Sequence, residues 1–133
     1  MRSTGSAEPD DERGSAVVDF VLVLVVLVPL FLGILQLALV LHVRNTLTAA
    51  ASDGARLAAT FDRGPADGAA RTRDQITGAL AARFARDVAA RTTRIDGAEA
   101  IEVTVHAEVP ALGLWGPAVS VQAQGHAIEE PSP

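Results

Sequence analysis

The stretch Phe20 to Val43, FVLVLVVLVPLFLGILQLALVLHV, decides how the chain is read. It runs for 24 residues without Asp, Glu, Lys or Arg. As a helix it rises about 36 Å, enough to cross a hydrocarbon core of about 30 Å. A buried helix of a soluble domain of that length keeps a polar face, and this one has none. We therefore read residues 20–43 as a transmembrane helix. Pro29 removes one hydrogen bond to the carbonyl four residues back and is expected to bend or loosen the helix near Val25, and Gly33 adds a second soft point. Both residues are also ordinary in membrane helices.

Ahead of this run the sequence reads Arg13-Gly14-Ser15-Ala16-Val17-Val18-Asp19-Phe20. A lone carboxylate, Asp19, thus sits at the start of the apolar run, and an ionisable group there is a functional candidate. Residues 1–14 read as a short, disordered polar leader with four acids against two Arg among its first thirteen residues. A secretory signal would instead have a basic start and an apolar core of about 7–15 residues. Arginines flank the apolar run on both sides, so charge asymmetry does not orient it. A short leader stays in the cytoplasm more readily than about ninety residues do, which places the C-terminal region outside the cell membrane.

After the apolar run the helical pattern continues to about residue 60. Leu47, Ala50, Ala51, Ala55, Ala58 and Ala59 form a stripe of mostly small residues, and Asp53 and Arg56 lie three apart. Residues 61–68 read as a loop by their glycines and proline. A second, amphipathic helix is expected from about Ala69 to Ala90, with Ile76, Leu80, Phe84 and Val88 four apart. Asp96-Gly97 is a break. The runs Ala100–Val109 and Val119–Ala127 then alternate apolar and polar residues and read as two antiparallel strands, joined by a loop carrying Leu112, Leu114 and Trp115. The expected fold is α+β: a long N-terminal helix over 15–60, then a small domain over 69–128 with one amphipathic helix on a two-stranded antiparallel sheet, then a tail over 129–133.

Composition narrows the function. The net charge is −5, and from Arg44 onward nine Arg are mixed with eleven acids, so there is no basic footprint for nucleic acid. Cysteine is absent, which excludes disulfides and thiolate sites. His42, His106 and His126 do not by spacing make a metal set, and neither a phosphate-binding glycine loop nor a Gly-x-Ser-x-Gly pattern occurs. The reading is of no catalytic residues, no metal, no cofactor and no small-molecule substrate. The chemistry lies at the Gly14 junction: a cut after Gly14 leaves Ser15 with a free α-amine, and Asp19, four residues on, is on the same helix face.

Charged leader, Gly14, then Ser15-Ala16-Val17-Val18-Asp19-Phe20 opening an apolar helix resembles the cleavage site of type IV prepilins. Gly33-Ile34 and Val43-Arg44-Asn45-Thr46-Leu47-Thr48-Ala49-Ala50-Ala51-Ser52-Asp53-Gly54-Ala55-Arg56 resemble the segment typical of TadE-like proteins, the pseudopilins of the tight-adherence (Tad, or Flp) pilus system. The strand runs around Pro110-Ala111-Leu112-Gly113 fit the same family. The resemblance implies a pilin-like fold, processing by a prepilin peptidase between Gly14 and Ser15, and a minor pilin or pseudopilin role. It also implies membrane lipid, other pilins and the pilus assembly platform as partners, with the protein held in the membrane or incorporated into a pilus. Asp19 stands where the family usually has Glu, Gln36 replaces an acidic residue common there, and Pro29 lies later than the usual proline. The competing reading is an uncleaved single-pass anchor whose small domain binds an envelope partner.

Overall fold

The computed structural model describes residues 9–112 and 116–129. Trp115 and Leu114, the tail beyond Glu129 and the first eight residues lie outside the described residues. One helix, α1, runs from Pro9 to Ala58, so it begins ahead of Gly14 and carries the apolar run and the small-residue stripe as one element. It stays helical through Pro29 and Gly33, and the expected loosening near Val25 does not interrupt it.

Helix α2 follows at Pro65–Ala79, earlier than the expected start at Ala69. Pro65 has the pre-set φ of a first helical residue, and Asp67 turns its carboxylate back to accept from the Gly64 N–H at 3.0 Å. The proline read as a loop marker is therefore a helix opener. The helix also ends earlier than expected. A 3₁₀ turn at Ala82–Ala85 leads into a strand, β1, at Asp87–Ile95. The sheet consequently has three strands, not two: β1, β2 at Ala98–Val109 and β3 at Val119–Ile128, antiparallel in the order β1-β2-β3.

The cause of that correction is a coincidence of spacing. Ile76, Phe84 and Val88 are all buried and Leu80 is half-buried, as a helical stripe requires, but they sit in three different elements. The contrary signal is Asp96-Gly97. Both residues have positive φ, 50° and 86°, and they join Ile95 to its partner Ala98, the geometry of a two-residue hairpin whose twist matches that of the strands. A hairpin there requires a strand before it.

The apolar side of the sheet is as the alternation implies on β2, where Ile101, Val103, Val105, Ala107 and Val109 are buried. Its main cover is the C-terminal half of α1, with α2 alongside, whereas the sequence assigned that cover to the second helix. Val43, Leu47, Ala50, Ala51, Ala55, Ala58 and Ala59 are at most 4 % exposed. Such small side chains let backbone meet backbone. A Cβ added at Gly125 on β3 would collide with the main chain of Ala51 and Ser52. An isolated glycine inside an alternating strand is a mark of this kind of approach.

Where α2 crosses α1, Gly54 and Gly68 face one another, and a Cβ at Gly68 would lie 2.8 Å from the Gly54 carbonyl oxygen. The Thr72 hydroxyl, fully buried, donates to the Gly68 carbonyl at 2.8 Å and lies 3.3 Å from the Ala50 carbonyl. Asp53 pairs with Arg71 and Gln75 of α2, at 2.8 and 2.6 Å, and not with Arg56. Gly125→Val is expected to push β3 off α1 and destabilise the domain by about 1–3 kcal/mol or more, as overpacking does. Thermal unfolding in detergent measures it, and an unchanged midpoint would show that the sheet does not seat on α1.

Candidate functional site

Gly14, Ser15, Asp19 and Phe20 lie on the N-terminal half of α1, where among the described residues no other element packs. A Cβ at Gly14 or at Gly33 would meet nothing within 4 Å. Large apolar side chains from Val17 to Leu41 stand in the open: Val18 is 58 % exposed, Phe20 63 % and Val26 69 %. A surface this apolar and continuous over a length that spans a bilayer fits a lipid environment. Ser15 and Asp19 are one turn apart on the same face, so the helix aligns an α-amine at Ser15, once freed, with the carboxylate. Pro29 and Gly33 occupy the exposed span between this junction and the folded domain.

Gln36 was recognised in the sequence only as a departure from an acidic residue. In the fold it clamps the β2–β3 connection onto α1. Its side-chain amide N–H donates to the Pro110 carbonyl at 3.3 Å, and its Oε1 accepts from the Leu112 N–H at 2.6 Å. A carboxylate at this position has no donor to offer Pro110, so an amide is the side chain that satisfies both groups. The contact joins residues 74 and 76 apart in sequence, and no local signal announces it.

The polar face of the sheet carries a row across its three strands, set by the register Arg91–Glu102–His126. Glu102 accepts from the Arg91 guanidinium at 2.7 Å on one oxygen and meets His126 Nε2 at 2.8 Å on the other. Its side chain is 13 % exposed. The Arg91 hydrogen bond, and after it that from His126, hold the Glu102 carboxyl below its usual range. His106 lies 3.6 Å from Asp87 in a separate row of the same face, with the Ala89–Thr104–Gln124 row between the two. The two strand histidines are thus set apart by register, His106 opposite Gln122 and His126 opposite Glu102. His42 is exposed on α1. Among the described residues no group of three or more His, Asp and Glu gathers as metal ligands would. An open groove of about 750 Å³ runs along the end of the sheet past Arg83, Arg86, Asp87, His106, Glu108 and Pro110.

The lowered Glu102 fixes the sign of a pH effect. A carboxyl that ionises more readily folded than unfolded contributes stability above its unfolded value, about 4.3, and that contribution is lost as pH falls through the lower folded value. Glu102→Gln is therefore expected to lower the thermal midpoint near neutrality and to flatten its decline between about pH 5 and pH 3. Parallel curves for the two proteins would mean that the row does not stabilise the sheet.

Residues 14–56 match the family model described as TadE-like protein. Comparison of the chain with curated proteins and with solved structures finds no match. The matched segment begins at Gly14 and ends at Arg56, so it covers the open, apolar half of α1 and most of the small-residue half on which the sheet and α2 are seated. Over that segment, from Gly14 to Arg56, the chain is similar to the TadE-like family.

Proposed function

We propose that the protein is a TadE-like minor pilin or pseudopilin, a membrane-anchored structural component of Tad/Flp pilus assembly or of a related secretion apparatus. The observation that carries this reading is the division of α1 within the matched segment: an uncovered apolar half, long enough for the membrane, continues directly into the half that forms the core of a small α+β domain. A helix of this kind can move from lipid into a bundle of its like without unfolding the domain behind it. Lipid, a prepilin peptidase, other pilins and the assembly platform are the partners this role requires. The N-terminal leader stays in the cytoplasm and the domain lies outside.

Cleavage between Gly14 and Ser15 gives the helix a positive terminus one turn from Asp19. The carboxylate then compensates that amine, or the amine of a neighbouring subunit, and fixes the axial register between helices. In cells holding a prepilin peptidase, mass spectrometry of the mature chain is expected to find Ser15 as its first residue, and Gly14→Leu to leave the leader attached. Asp19→Ala is expected to insert normally yet lose crosslinks to partner pilins, while Asp19→Glu retains them. A wild-type chain that keeps its leader, with Asp19→Ala fully competent, would favour the uncleaved anchor whose domain binds an envelope partner.

A further inference from the structure

The Gln36 clamp sets the depth of the domain relative to the bilayer. We propose that the start of the β2–β3 connection, Pro110 to Leu112, rests in the membrane interface, in contact with lipid acyl chains. This inference rests on α1 crossing the membrane and is independent of any pilus role.

The geometry is arithmetic along one helix. Asp19 and Gln36 are 17 positions apart, about 26 Å at 1.5 Å per residue, which is shorter than a hydrocarbon core of about 30 Å. With Asp19 at one interface, the other falls at or beyond the level of Gln36, the level to which the amide holds Pro110 and Leu112. The opposite side of α1 agrees. Ile34, Leu37 and Leu41 point away from the domain, 59 %, 61 % and 49 % exposed, and polar residues begin only at His42 and Arg44. Lipid reaching Leu41 on that side covers the depth of Gln36 on the domain side.

The contact suits acyl chains better than charged headgroups. Leu112 is 40 % exposed, and Pro110 and Ala111 beside it carry no charge. The groove adjoining Pro110 sets Arg83 and Arg86 against Asp87 and Glu108, so its charges cancel. Glu99, at the other end of β2, is about 33 Å from Val109 along the strand and stands clear of the bilayer.

The absence of cysteine makes the test direct. Single-cysteine variants Val26→Cys, Leu112→Cys and Glu99→Cys of the full chain carry an environment-sensitive NBD fluorophore in phosphatidylcholine vesicles, with doxyl-labelled lipid as quencher. Val26 is expected to be quenched by deep doxyl groups, Leu112 to be blue-shifted and quenched by shallow ones, and Glu99 to remain as in water. Quenching at Val26 with none at Leu112, even if Leu112 is blue-shifted by protein packing, overturns the interfacial loop and leaves the membrane helix standing. No quenching at either position overturns both.

Discussion

The close seat of other backbone on the C-terminal half of α1 is the constraint on which the rest of the domain depends. A three-stranded sheet needs cover for its apolar side, and α1 supplies most of it, with α2 alongside. The helix supplies it by bringing little side chain to the contact. At Ala51 the β3 main chain comes so near that only Gly125 fits, and at Gly54 the α2 main chain comes so near that only Gly68 fits. Backbone approach of this kind leaves carbonyls and small polar groups inside, and the buried Thr72 hydroxyl meets two of those carbonyls, while the half-exposed Asp53 ties the rim of the crossing to Arg71 and Gln75.

The same helix then meets a second demand. From Phe20 to Phe31 it has no protein cover among the described residues and is apolar all round, whereas its C-terminal half is apolar only toward the domain, with Arg44, Asn45, Thr48 and Arg56 turned outward. The change from one regime to the other is gradual, from Leu32 to Val43, and Gln36 lies within it. One amide in the apolar run is expensive in lipid unless both its ends are bonded. Pro110 and Leu112 bond both, so the polar residue that looks out of place in the run is the one that ties the domain to it.

Much of this was legible in the residues. A charge-free run of membrane length, the alanine stripe after it and the alternation of Ile101 to Val109 each report a single dominant force, and they appear in the fold as one continuous helix and a strand with one buried face. The errors came where two patterns share a spacing. Phe84 and Val88 lie four and eight residues beyond Leu80, which suits a helix face, yet they are buried from a 3₁₀ turn and a strand. The positive-φ hairpin at Asp96-Gly97 held the missing strand in the sequence, as Gly125 held the helix contact. Gln36 and Thr72 were not legible, because their partners are tens of residues away and depend on the assembled fold.

The central claim is that one continuous, stiff helix serves both the membrane and the domain core. Because the chain lacks cysteine, nitroxide spin labels can be placed at the exposed positions Leu22 and Thr48 alone, one in each half of α1. In a bilayer nanodisc, pulsed dipolar spectroscopy is predicted to give a single narrow distance distribution near 39 Å, the rise of 26 helical residues. A broad distribution, or one markedly shorter, would mean that the chain breaks near Pro29 or Gly33 into an anchor and a separate domain, and would contradict the account.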